Sequence, residues 1–212
     1  MGLEIELKAW VEDPEALKKS LDTWGEHEKA YEKSDTYWLP AGKPALGPGN
    51  EAPSGEFPPR GKIPPSGIRV RREQSAGRDG KSSERTLITY KIRELAGEVE
   101  VNEEREFEVK DESAFEDLLV LLNLEPRIRK KKKGWAWNCG GSPPVLAELS
   151  HVENLGWFIE LEIISGKADG EIVKGERERL LALLDKLGIP RDRIETRPYT
   201  LMLKERSVKE RP

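Results

Sequence analysis

Leu3-Glu4-Ile5-Glu6-Leu7-Lys8 alternates without interruption between aliphatic and charged residues. A strand places side chains two apart on one face, so Glu4, Glu6 and Lys8 project one way while Leu3, Ile5 and Leu7 project the other. The pattern returns in Phe158-Ile159-Glu160-Leu161-Glu162-Ile163 and, with opposite charge, in Ile68-Arg69-Val70-Arg71. Strands that are ionic on one face and aliphatic on the other either show their charges to solvent or gather them inside a wet barrel. The second arrangement makes a binding site for a polyanion with metal ions.

The chain has 212 residues, enough for one large domain with a real core. Charged residues are abundant, yet the formal net charge is only −4, so neither sign dominates. That balance argues against a dedicated nucleic-acid or membrane-surface protein. Cys139 stands alone, which rules out an internal disulfide and a thiolate zinc cluster. No apolar run approaches the roughly 18 residues of a membrane span, and the first residues read as a charged strand and not as a leader. No membrane association and a cytoplasmic location are therefore expected.

Working outward from the first strand, Asp13-Pro14-Glu15 reads as an N-cap, a first-turn proline and a first-turn acid for a helix running to about Trp24. Further strands are expected at about Lys29–Leu39, Gly67–Glu73, Arg85–Glu94, Glu98–Lys110, Arg127–Trp137, Val145–Val152 and Trp157–Ser165. Asp111 or Ser113 caps a helix ending near Asn123, with Phe115, Leu118, Leu119 and Leu122 at helical spacing. Glu171–Leu187 is an amphipathic helix with Leu180, Leu181, Leu184 and Leu187 on its apolar side, and a short helix surrounds Tyr199–Lys204. Between Pro40 and Gly67 the composition changes: eight of the 15 prolines and six of the 19 glycines fall in these 28 residues, so this stretch reads as a loop insertion. Eight strands, two of them separated by helices, fit one β-rich domain over residues 1–206 with helices packed outside, followed by a tail at 207–212.

Glu4-x-Glu6-x-Lys8 resembles the signature of the CYTH superfamily, the triphosphate tunnel metalloenzymes, which includes class IV adenylyl cyclases and thiamine triphosphatases. Three residues alone are a weak signal in a charged protein. The ordered set is stronger: Asp35-Thr36-Tyr37-Trp38, Gly67-Ile68-Arg69-Val70-Arg71, Thr89-Tyr90-Lys91, Glu104-Arg105-Glu106-Phe107-Glu108, the basic run at 129–133, Leu155-Gly156-Trp157-Phe158-Ile159-Glu160-Leu161-Glu162, and Tyr199. Two positions depart from the pattern. Ser150 stands where cyclase-like members usually carry an aspartate, with Glu148 on the same strand face as a substitute, and Asn102 stands where many carry an arginine.

The resemblance implies an α+β fold, an eight-stranded antiparallel β-barrel with helices packed outside, whose tunnel holds a triphosphate in a ring of Lys and Arg, with Mg²⁺ or Mn²⁺ on inward glutamates. Glu4, Glu6, Glu160 and Glu162 are the metal-ligand candidates, since carboxylates suit hard divalent cations. Lys8, Arg69, Arg71, Lys91, Lys130 and Lys132 are the substrate-binding candidates, with Arg matched to phosphate by its fork of donors. Lys130 and Lys132 are assigned inward from the family's spacing to Trp135, because alternation cannot be read where every position is basic. Glu4, Glu6 and Lys8 are the catalytic candidates. Expected ligands are tripolyphosphate, ATP or thiamine triphosphate, and a homodimer stays open.

Other readings were weighed against this one. Arg127–Lys133 carries six basic residues in seven and by itself resembles a nucleic-acid patch. Gly77-Arg78-Asp79-Gly80-Lys81-Ser82 resembles a P-loop but fails, because Ser75 replaces the first glycine and the segment joins two strands. Trp38 is a candidate for meeting a base at a tunnel mouth. A silent polyphosphate- or nucleotide-binding module is the competing class, motivated by Ser150 and Asn102. Within the enzyme reading, hydrolysis ranks ahead of class IV cyclisation of ATP, because cyclisation also needs a base pocket that aligns the 3′-hydroxyl with the α-phosphorus.

Overall fold

The computed structural model describes residues 3–42, 67–96, 99–166 and 170–209, with the side chains of 91–96, 99–103, 208 and 209 left out. Most of the Pro40–Gly67 insertion, the Lys91 and Asn102 side chains and the last residues of the tail thus lie outside the described residues. Eight strands are present: β1 Leu3–Trp10, β2 Glu26–Pro40, β3 Ile68–Gly77, β4 Ser82–Ala96, β5 Val99–Val109, β6 Leu124–Asn138, β7 Leu146–Val152 and β8 Gly156–Ser165. Every neighbouring pair is antiparallel, and the order β1-β5-β4-β3-β2-β6-β7-β8 closes on itself through the β1–β8 pair. This is the α+β antiparallel barrel that the resemblance implies, and it decides between the two arrangements that the alternation left open.

The helices form where capping and apolar spacing specify them. Helix α1 (Pro14–Trp24) starts where the Asp13 carboxylate accepts from the Ala16 N–H at 3.0 Å, and α2 (Glu112–Leu121) repeats the device with Asp111 and Ala114 at 3.0 Å. Helices α3 (Gly170–Lys186) and α4 (Tyr199–Lys209) follow the last strand. Gly77 to Lys81 forms the β3–β4 hairpin turn with Gly80 at φ +76, a conformation glycine adopts without penalty. That position excludes the strand-to-helix context of a P-loop.

The aliphatic faces of the strands point outward and meet the helices. Ile5, Leu7, Ala147, Leu149, Ile159, Leu161 and Ile163 pack under Leu17 and Leu21 of α1 and Leu180, Leu181 and Leu184 of α3, forming the main core. A smaller cluster lies on the opposite wall, where Trp38, Val70 and Ile88 sit beneath Leu119 of α2. One expectation is corrected here. Trp38 is buried in that outer cluster and not at a tunnel mouth, because alternation along β2 turns Tyr37 to the lumen and its neighbour Trp38 outward. On α2, Leu119 is buried while Leu118 and Leu122 stand exposed, together with Val120 and Leu121. Helical spacing identifies which residues share a face; it does not supply a partner for that face.

With the aliphatics outside, the charged faces line the interior. Burial on β6 alternates so that Lys130 and Lys132 are covered while Lys131 and Lys133 are exposed, which settles the direction of the basic run.

Candidate functional site

The lumen is a cavity of about 490 Å³ bounded by all eight strands, with Pro198, Tyr199 and Thr200 of the C-terminal segment against it. Glu4, Glu6, Lys8, Arg69, Arg71, Lys130, Lys132, Glu160 and Glu162 all line it, so the sequence candidates with described side chains converge on one space. Its described lining carries eight carboxylates and eight cationic side chains. That balance leaves no cationic surplus in the lining to neutralise an incoming polyanion.

Register fixes the acidic wall. Across β1 and β8, Glu6 lies directly opposite Glu162 and Lys8 opposite Glu160, while on the next pair Glu160 lies opposite Glu148. Like charges placed directly across a strand pair repel. Glu6 and Glu162 with nearby Glu4 therefore form an acidic sector suited to a divalent cation. Among the described residues no three His, Cys, Asp or Glu side chains converge into a ready-made metal cage. Magnesium does not require one, since it commonly keeps several waters and uses one or two carboxylates together with substrate phosphates. The donor set fits that mode of binding.

The basic side is held by ion pairs. Arg71 forks onto Asp35 through Nε at 2.7 Å and Nη2 at 2.9 Å, and Lys130 Nζ reaches the same carboxylate at 3.0 Å. Burial raises the Asp35 pKa, but Arg71 and then Lys130 outweigh it and hold the carboxyl well below the usual range. Arg69 donates to the Thr89 hydroxyl at 3.0 Å and to Glu104 at 3.4 Å. Two of the proposed phosphate-binding cations thus share one buried anion, which orients them before any ligand arrives.

Deeper in the lumen, Lys132 Nζ bridges Glu148 at 2.8 Å and Glu160 at 2.5 Å, and Lys33 Nζ donates to Glu148 at 2.6 Å. Burial works against the charge on Lys132, but the two carboxylates outweigh it and raise its pKa. Glu160 is correspondingly brought down to about 2: burial opposes ionisation and the Lys132 charge overcomes it. Lys33 is the more weakly held ammonium, because it shares Glu148 with Lys132; burial lowers it to about 8. Glu73 gathers Lys29 at 2.9 Å and Arg85 at 3.0 Å nearby.

Lys33, Asp35, Glu73 and Tyr31 join the site without having been singled out as site residues. Their signal was available: stepping by two from Tyr37 along β2 gives Asp35, Lys33 and Tyr31, and stepping from Arg71 along β3 gives Glu73. Glu148 stands inward, as its strand face implied. Ser150 is fully buried, and its hydroxyl has no hydrogen-bond partner among the described residues.

Solved structures share this barrel. The PH1819 protein of Pyrococcus horikoshii OT3 superposes with a TM-score of 0.69 at 21% identity, covering 95% of this chain and 99% of that one. A Vibrio parahaemolyticus protein assigned provisionally as an adenylate cyclase gives 0.67 at 18% identity, covering 95% and 98%. HpAC1 from Hippeastrum, described as having a dominant triphosphatase activity, gives 0.54 at 16% identity and covers 100% of this chain and 98% of that one. No protein-family model and no curated protein matches the sequence. At these identities the likeness concerns the fold, and chemistry must be argued from the lumen itself. No helix among the described residues is long and apolar enough to cross a membrane.

Proposed function

We propose that the tunnel binds a triphosphate and, with Mg²⁺ or Mn²⁺, hydrolyses it. The observation that carries this reading is the division of one closed lumen into an acidic sector at Glu4, Glu6 and Glu162 and a basic sector at Lys8, Arg69, Arg71, Lys130 and Lys132. A triphosphate carries about four negative charges, and a lining with balanced charge cannot neutralise it alone. A divalent cation on the acidic sector supplies the missing positive charge, Lewis-acid polarisation and activation of the attacking water.

The chain's own residues bind and orient. Arg69 and Arg71 present forked donors to phosphate oxygens, and Lys8, Lys130 and Lys132 act as point charges. Asp35 fixes Arg71 and Lys130 in advance, which reduces the ordering entropy lost on binding. Glu160 is engaged by Lys132 and helps hold that ammonium, and Glu4, Glu6 and Glu162 are the carboxylates assigned to the metal, as hard oxygen donors on one face of the lumen. Hydrolysis needs only a bound triphosphate and an activated water; the structural likeness to HpAC1, described as a triphosphatase, supports the same choice.

The test is product analysis after incubation with tripolyphosphate, ATP and thiamine triphosphate, each with and without Mg²⁺ or Mn²⁺. Orthophosphate is the expected product. Cyclic AMP with stoichiometric pyrophosphate would overturn the ranking of hydrolysis over cyclisation, and no product with retained binding would leave a silent binding module. Glu6→Gln keeps size while removing an anionic ligand, and turnover should fall by at least about tenfold without unfolding. Arg69→Ala should weaken triphosphate binding by roughly 1.5–3 kcal/mol, read by calorimetry.

A further inference from the structure

Tyr199, the first residue of α4, is 7% exposed and lines the lumen, and its hydroxyl is buried without a hydrogen-bond partner among the described residues. Two ammonium groups sit over its ring: Lys8 Nζ lies 4.4 Å and Lys130 Nζ 4.8 Å from the centroid. Phe158 meets the ring edge-on at 5.0 Å. Tyr199 is therefore fixed between the two cations that represent β1 and β6 in the basic sector.

The segment leading into α4 secures the same lysine from the main chain. The Glu195 N–H donates to the Lys8 carbonyl at 2.8 Å, and Lys8 Nζ donates to the Arg197 carbonyl at 2.7 Å. The Glu195 carboxylate accepts from Trp10 Nε1 at 3.2 Å and from Arg197 Nη2 at 2.6 Å, which locks the segment to the end of β1. Lys8 is bracketed by residues nearly 190 positions later in the chain.

A buried hydroxyl with no acceptor carries a desolvation penalty that apolar packing does not return. Burial, with Glu160 adding to it, holds the phenol pKa well above its ordinary value, so the group remains a proton donor. For a donor whose ring carries two ammoniums at 4.4 and 4.8 Å, in a lumen lined by cations, the acceptor that suits it is an anionic oxygen.

We propose that Tyr199 contacts the substrate, its hydroxyl donating to a phosphoryl oxygen of the bound triphosphate while its ring sets the positions of Lys8 and Lys130. The inference rests on the reading of the lumen as a triphosphate site. It assigns α4 a part in binding as well as in closing one side of the cavity.

Tyr199→Phe separates hydroxyl from ring. With Mg²⁺ present, tripolyphosphate binding by calorimetry should weaken roughly tenfold or more, as expected for loss of a hydrogen bond to a charged group. The melting temperature of the ligand-free variant should stay level or rise, because an unsatisfied buried hydroxyl has been removed. Tyr199→Leu, which also removes the ring, should weaken binding further. Wild-type affinity in the Phe variant, or a fall in its ligand-free melting temperature that accompanies the weakened binding, overturns the role of Tyr199 and leaves the tunnel reading in place. Failure of the wild-type protein to bind tripolyphosphate overturns both.

Discussion

The two sides of the barrel wall are built to different depths. Strands β1, β7 and β8, with Trp137 of β6, present an aliphatic layer that packs with α1 and α3 into one core running from Ile5 to Leu184. Strands β3, β4 and β5 are backed by a small cluster around Val70, Ile88 and Leu119. Beyond that cluster, Phe107 and the outer leucines of α2 remain in solvent. The deep side carries the acidic sector and the shallow side carries Arg69, Arg71 and Thr89. Local stability follows buried apolar contact, so Glu4, Glu6 and Glu162 rest on the firmer wall together with Lys8, Lys130 and Lys132, while the arginine fork rests with Glu73, Glu104 and Glu106 on the more yielding one. A metal site benefits from fixed ligands, whereas a phosphate clamp can adjust around its substrate.

Cavity-forming substitutions probe that contrast most strongly. Leu161→Ala, fully buried in the deep core, should destabilise by about 3–5 kcal/mol, whereas Leu119→Ala should lose about 2 kcal/mol because the partly exposed neighbours of α2 can relax into the gap. Equal losses in denaturant titrations would break the two-wall picture.

Acid should act next, and on the deep side. A carboxyl whose folded pKa is depressed contributes stability that is complete above its unfolded pKa and disappears as pH falls through the folded value. For Glu160 the window runs from about 4.5 down to about 2, with an effect on the order of 3 kcal/mol. Asp35 and Glu148 shift in the same direction. Lys33 has the opposite sign: its lowered pKa means the unfolded chain binds more protons between about 8 and 10.5, so its contribution to stability rises with pH across that window. A denaturation midpoint that changes little between pH 7 and 5 and drops below about 4 is expected, and a loss already complete at pH 5 would contradict the pairing of Glu160 with Lys132.

The smallest effect belongs to the uncovered leucines. Leu121 is 82% exposed, so Leu121→Ser should change stability by no more than about 0.5 kcal/mol. A larger loss would reveal that this face is covered in solution.

Much of the barrel was legible in the order of residues, because strict alternation dictates which side chains share a face. Glu4, Glu6 and Lys8, or Arg69 and Arg71, needed nothing more. The basic run could not be read in that way, since alternation conveys nothing when neighbours are alike; the spacing to Trp135 pointed Lys130 and Lys132 inward only through the family resemblance, and they are buried where Lys131 and Lys133 are exposed. Asp35 was visible as part of a motif, but its partnership with Arg71 and Lys130 depends on β2 lying between β3 and β6, a tertiary fact. The reach of Tyr199 to Lys8 is longer still in sequence. The apolar spacing of α2 correctly announced a helix but not that Leu119 alone of its leucines would be buried, for periodicity describes a face without describing its surroundings.

Closure through β1 and β8 has a consequence for the order in which the molecule can be assembled. β1 is not paired with β2; its two neighbours are β5 and β8, made about a hundred and about a hundred and fifty residues later. A nascent chain that ends before Gly156 therefore holds Glu4, Glu6 and Lys8 on a strand lacking one of its neighbours, and cannot enclose the lumen. Ring closure is a long-range step with a correspondingly high entropic barrier. Glu4, Glu6 and Lys8 become part of a completed site only after β8, about a hundred and fifty residues further on, has been synthesised.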